Sequence, residues 1–201
     1  GYGFLFALAG RPTRGVVVAL GAILVGVWAA FAVWPAPGAD FDYGRVGVSA
    51  DWLAAHGQSG FAAHWNKNSN LAWAFDTWWL NLFPREKPFL FNAGGYATLS
   101  FIPTLATMLL GLVAGRVLQG AGAPAERLRW LVRAGVVCLA VGVVWGAVGL
   151  CPVVKRIWTP SWVLASGGAC LLLLAAFTAW LPAGRTSDRK STRLNASHIT
   201  I

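Results

Sequence analysis

Two short stretches of the chain gather residue types that do chemistry. The first is His64-Trp65-Asn66-Lys67-Asn68-Ser69-Asn70, which opens the segment His64–Phe89, where four Trp and four Asn sit among a few charges. Side-chain amides donate to and accept from hydroxyls, and indoles stack on the faces of sugars. Asn66, Asn68 and, further on, Asn92 therefore make a carbohydrate-type set beside these Trp side chains. Imidazole is the side chain most easily poised near neutral pH, which adds His64 as a candidate and His56 as a weaker one. The second stretch, Cys151–Leu164, carries Lys155, Arg156 and Trp158, two adjacent cations and an indole that suit an anion in a polar cavity.

Each feature also has a plainer reading. Trp side chains gather in belts at membrane interfaces, and Lys and Arg stretch their stems to reach lipid headgroups. Belt and packing rank ahead of sugar stacking for the aromatic segment. Snorkelling ranks ahead of anion binding for Lys155 and Arg156. A single His beside a Trp at an interface is more often structural. Paired carboxylates, Cys/His metal spacing, GxSxG and phosphate-loop patterns do not occur, and no metal site is expected. Cys138, Cys151 and Cys170 are too few, and too apolar in setting, for a disulfide framework or a zinc site.

The elements that must position these residues follow from hydropathy. The chain is 57% hydrophobic and 11% charged, against about 25% charged in ordinary soluble domains. Charge-free runs cover Gly15–Trp34 (20 residues), Ala97–Gly115 (19), Ala134–Leu150 (17) and Thr159–Leu181 (23). A helix crosses the hydrocarbon with about 20 mainly apolar residues. The expected fold is an all-α polytopic membrane protein with spans at about 15–34, 97–118, 131–150 and 159–181, Arg133 snorkelling at the edge of the third. The opening GYGFLFALAG reads as the end of a fifth span. Gly111 and Gly115, and likewise Gly142 and Gly146, have the spacing that lets helices approach closely.

Lys and Arg beside spans mark the cytoplasmic side. Arg11 and Arg14 in one connection, and Arg116, Arg127, Arg129 and Arg133 in another, place both connections there. Residues 35–96 are then a long aromatic-rich outer loop, with the turn Cys151–Trp158 on the same side. Lys155 and Arg156 break the charge rule. The loop is too rich in Trp and Phe to stay wet, so it is expected to fold against the mouth of the bundle. Leu71, Phe75, Trp78, Trp79 and Leu82 recur at helical spacing, with Asn70 as N-cap and Pro84 as stop. That predicts a short amphipathic helix from about Leu71 to Phe83, its aromatic face in the bundle or the bilayer.

The termini carry a separate expectation. The chain begins within a helix without an initiator Met, so it is read as an internal fragment. Asp188–Thr200, DRKSTRLNASHIT, resembles a translated sequencing adapter with one difference at Ala196, and residues 185–201 are read as a non-native or disordered tail. Before residue 188, 13 Lys and Arg against 6 Asp and Glu leave +7 of the full chain's +9. These charges flank spans, so nucleic acid is not an expected partner.

Two ordered motifs, with a third stretch beside them, carry a family resemblance. Phe101–Leu118, FIPTLATMLLGLVAGRVL, has a Pro-containing start and a Leu-Gly-x-x-Ala-Gly end at Leu110, Gly111, Ala114 and Gly115. Cys151–Leu164, CPVVKRIWTPSWVL, reads Pro-x-x-Lys-x-x-Trp-Thr-x-Ser at Pro152, Lys155, Trp158, Thr159 and Ser161. Asn81–Phe89, NLFPREKPF, accompanies them. With these, residues 1–184 resemble the middle of the bacterial relatives of heparan-α-glucosaminide N-acetyltransferase, polytopic membrane acyltransferases also known as a domain-of-unknown-function group.

The resemblance implies transfer of acetyl from cytoplasmic acetyl-CoA to the amine of an amino sugar or glycan outside a bacterial inner membrane. It implies a substrate-binding role for Lys155 and a catalytic His on an outer loop near the N-terminal spans, which neither His56 nor His64 matches. The fragment itself is therefore expected to be inactive, and no catalytic residue is assigned. The chain departs from the family at Asn92-Ala93-Gly94-Gly95, where many members read Asp-Pro-Glu-Gly. The partners are the lipid bilayer and the acceptor; a homo-oligomer is left open. The alternative function is an amino-sugar transporter or permease, which would want polar or broken helices at mid-membrane; Thr104, Thr107 and Ser166 are the main candidates.

Overall fold

The computed structural model describes residues 2–180; the tail reading of residues 185–201 lies outside the described residues. The described chain is helical without strands: α1 (Tyr2–Ala9), α2 (Thr13–Val33), α3 (Ala50–His56), α4 (Leu71–Leu80), α5 (Phe101–Gln119), α6 (Pro124–Ala147) and α7 (Pro160–Trp180). Single 3-10 turns at Gly44–Val46, Gly60–Trp65 and Thr98–Ser100 join them. Four of these helices, α2, α5 with its 3-10 entry, α6 and α7, are long and apolar enough to cross a membrane. Val136, Val137, Val143 and Val144 of α6, like Val18 and Val25 of α2, lie exposed. Outward apolar faces of this extent suit lipid, so the architecture is that of an α-helical polytopic membrane protein.

Helix ends differ from the hydropathy reading for local reasons. Helix α6 begins at Pro124, seven residues before the expected start at 131. Proline at the first helical position loses no hydrogen bond, and Glu126 Oε2 accepts from the Ala123 N–H at 3.2 Å. The helix stops at Ala147, and Gly149, at φ 73°, supplies the left-handed turn after it. In α5, Pro103 sits in the first turn, as expected of a residue without an N–H.

Packing runs in four clusters along the bundle. Val16, Leu105, Leu109 and Val113 join α2 to α5, with Leu5 and Leu8 of α1 against them. Leu110, Leu131 and Leu171 bring α5, α6 and α7 together, and Leu24, Ala106 and Val163 fill the space between α2, α5 and α7. The α6/α7 pair approaches most closely where glycines meet. A Cβ on Gly142 would lie 2.7 Å from Ser161 O, and one on Gly168 would lie 2.7 Å from Gly135 O. Gly146 abuts Val153 in the turn after α6. Gly111 and Gly115 behave otherwise: a Cβ at either would meet nothing within 4 Å, so this pair makes no close helix contact among the described residues.

The basic connections gather at one end of the bundle. Arg116 donates through Nη2 to Ala9 O (2.7 Å) and Arg11 O (2.9 Å), and Arg127 Nη1 donates to Leu118 O (2.9 Å). These guanidiniums take up carbonyls that helix C-termini leave unpaired. At the other end, Phe31, Trp65, Ala72, Cys151 and Ile157 form one buried cluster. It fixes the long connection and the 151–159 turn to the mouth of the bundle. The aromatic connection therefore folds back as expected.

Candidate functional site

The segment from Asn66 to Asn70 is a scaffold of committed amides. Asn66 Nδ2 donates to Tyr43 Oη (3.0 Å) and Gln58 O (3.0 Å), while its Oδ1 accepts from Gln58 N (2.8 Å). Asn68, only 4% exposed, takes the left-handed conformation at φ 52°, which Asn tolerates better than most residues. Its Nδ2 donates to Val46 O (2.9 Å) and Asn92 O (3.2 Å). Asn70 caps α4 by accepting from Trp73 N at 3.0 Å, the predicted role, and also donates to Asn66 O at 2.8 Å. Burial of such groups is cheap only when they are paired, and here they pin four stretches of connection to one another.

Of the two settings expected for the aromatic face of helix α4, bundle or bilayer, the packing leaves most of it outside the bundle. Ala72 and Asp76 are its buried residues, and both Asp76 oxygens accept from Thr98 N, at 3.1 and 2.9 Å. The aromatic stripe lies on the outer side. Phe75, Trp78, Trp79 and Phe83 pack on each other, with Trp78 and Phe83 more than half exposed. The helix ends at Leu80, before Pro84, because Asn81 takes over the chain reversal. Its Nδ2 donates to Thr77 O and Phe89 O, and its Oδ1 accepts from Phe89 N at 2.7 Å.

Across the mouth, the 151–159 turn is held by hydroxyls. Thr159 Oγ1 and Ser161 Oγ each donate to Pro152 O at 2.8 Å, and Thr159 Oγ1 accepts from Val154 N at 3.0 Å. Trp158 sits at φ 54°, a costly conformation for a bulky residue. Its indole turns into the bundle, donating from Nε1 to Thr107 Oγ1 of α5 at 3.0 Å.

Between these pieces lies a cavity of about 70 Å³, lined by Trp52 and His56 of α3, Trp65, Asn66, Lys67 and Arg156 among others, with no carboxylate in its wall. The Lys67 ammonium lies over the Trp52 ring, 5.0 Å from its centroid, a cation–π arrangement. The Lys67 stem crosses Gly95, where φ is 73° and a Cβ would come within 3.2 Å of Lys67 Cγ. Burial, and then the neighbouring Arg156 charge, push the Lys67 pKa below its ordinary value. Arg156 Nη1 donates to Gly94 O at 2.6 Å. Trp65 is 2% exposed, and its Nε1–H has no hydrogen-bond partner.

Of the residues singled out in the sequence, the structure brings Asn66, Asn70, His56 and Arg156 to this cavity. His64 instead fastens the Gly60–Trp65 turn to the end of α2: its Nδ1 lies 2.6 Å from Trp34 O. Because a carbonyl only accepts, Nδ1 carries the hydrogen. Asn68 is a buried clamp on the far side of the scaffold. Asn92 forms the neighbouring turn, its Oδ1 accepting from Tyr96 N at 3.3 Å. Lys155 is exposed outside the cavity and its neighbour Arg156 reaches in, while Trp158 faces α5. Trp52 and Lys67 were the residues missed. Lys67 stood between two chosen amides, but nothing in the sequence pointed to Trp52. Comparison with protein-family models, with curated proteins and with solved structures finds no match to the chain.

Proposed function

We propose that the chain belongs to a membrane-bound acyltransferase, moving acetyl from cytoplasmic acetyl-CoA to the amine of an extracytoplasmic amino sugar or glycan. The observation that supports this reading most is the union of the two strongest motifs behind the resemblance. Phe101–Leu118 and Cys151–Leu164 lie against each other through the Trp158 to Thr107 hydrogen bond, and Ser100, just before the first motif, donates from Oγ to Arg156 O at 3.4 Å. The cavity with its indoles, amides and cations opens beside that junction, at the end of the bundle opposite the basic connections. The acceptor amine must lose its proton to attack a thioester, which calls for a general base near the reacting centre. No side chain of this chain is assigned that part.

The transporter reading has less support. Thr104 Oγ1 donates to Ser100 O (2.7 Å) and Ser166 Oγ to Trp162 O (2.6 Å), each within its own helix, while Thr107 receives the Trp158 indole. These hydroxyls are engaged by the backbone of their own helices or by the Trp158 indole. The test uses liposomes containing the natural protein that carries these residues. Labelled acetyl-CoA is placed on the side of the basic connections and a glucosamine-terminated acceptor on the other. Label on the acceptor amine is the expected result. Unlabelled amino sugar crossing the bilayer, with no acetyl transfer, would overturn the proposal in favour of transport.

A further inference from the structure

The cavity behind Lys67 has a charge pattern that acyl transfer to a neutral sugar does not require. Two cations from separate parts of the chain, Lys67 of the long connection and Arg156 of the 151–159 turn, border one small space without a carboxylate in its wall. Lys67 is half-buried and Arg156 is exposed at the rim; like charges bordering one space repel each other and favour an anion between them. The effect is visible in Lys67, whose pKa is lowered by burial and by Arg156. Both cations are nevertheless held in place. Arg156 is fixed by its bond to Gly94 O and Lys67 by the Trp52 ring, in a channel that only glycine at position 95 leaves open. The buried Trp65, whose Nε1–H has no partner, belongs to the same wall.

We propose that this cavity binds a phosphoryl group, with Lys67 and Arg156 supplying its charge. A guanidinium offers a planar fork suited to phosphate oxygens, and an ammonium adds a compact point charge. Two positive charges match the dianion of a phosphate monoester near neutral pH, whose second pKa is about 6. The cavity volume of about 70 Å³ suits one such headgroup rather than a whole nucleotide. The group reaches the site either on a soluble monoester or on a phospholipid, because the cavity opens at one end of the membrane-crossing helices. The phosphoryl assignment does not need acetyl transfer: it stands if the chain transfers nothing, and its failure removes only the anion from the cavity, not the contact between the two motifs.

The test is thermal unfolding of the intact protein at constant ionic strength. In micelles, inorganic phosphate replacing chloride raises Tm; in nanodiscs, phosphatidic acid raises it relative to phosphatidylcholine. A response to phosphate alone assigns a soluble monoester, and a response to phosphatidic acid that added phosphate no longer increases assigns a lipid headgroup. Lys67→Met keeps the stem across Gly95 and removes the charge, so it retains the fold and weakens binding by about tenfold or more. Lys67→Arg retains the charge and the response. Equal Tm in phosphate and chloride together with equal Tm in the two lipids overturns the proposal, and so does a Lys67→Met protein that responds like wild type.

Discussion

Replacing Asn70 by alanine removes two hydrogen bonds of different kinds, the cap on α4 and the donation to Asn66 O. Loss of a cap costs about 1 kcal/mol, and the second bond adds about as much because its carbonyl is buried. Thermal unfolding should show Asn70→Ala destabilised by about 2 kcal/mol. Asn70→Ser, which keeps a capping oxygen, should fall between it and wild type. Lys67 sets a pH dependence at the same scale. Its folded pKa lies below the unfolded value near 10.5, so between the two the unfolded chain holds more protons and stability rises with pH. The cost of keeping the ammonium in the cavity is full below the lowered pKa and relieved above it. Phosphate binding runs the other way, because it needs the cation. Affinity measured by titration should fall as pH rises through the lowered value, earlier than for an ordinary Lys. The other charged or titratable groups lining the cavity are Arg156 and His56. Asn70 was legible because a cap precedes an apolar periodic run. The choice of Arg156 over Lys155 was not, since the fold of the 151–159 turn decides which of two adjacent cations faces inward.

Two glycine pairs with the same spacing have different roles, and the difference lies in what faces them. Gly142 of α6 meets the backbone of α7, whereas Gly111 of α5 meets open space. Gly142→Leu must push α6 and α7 apart and should be destabilised by about 3 kcal/mol or fail to fold. Gly111→Ala adds helix propensity without a clash, and should be neutral or stabilised by up to about 1 kcal/mol. Equal Tm values for the two variants in detergent would contradict the packing of α6 on α7. Helix α4 teaches the same lesson. Its spacing announced an amphipathic helix, and Asn70 its start, yet the face turned inward is set by Asp76 meeting Thr98 N, 22 residues away. Asp76→Ala would leave that N–H without its acceptor and cost about 1–3 kcal/mol. Spacing records which residues share a face; only the partner selects which face is buried.

At the scale of the molecule, four helices and their order were readable from charge-free runs, because the bilayer imposes length and composition on every span. The cavity was not readable, because its wall joins α3, residues 65–67 and Arg156 from parts of the chain some ninety residues apart. The central claim is that this cavity and the basic connections occupy opposite faces of the membrane, so that a ligand on one side meets a donor from the other. Cysteine labelling in intact cells tests it most directly. With Cys138, Cys151 and Cys170 each replaced by alanine, Asp51→Cys marks the cavity end and Ala121→Cys the turn between α5 and α6, both at exposed positions. A membrane-impermeant maleimide should label the Asp51→Cys protein from outside and the Ala121→Cys protein only after permeabilisation. Labelling of both from the same side, or the reverse pattern, would contradict the account.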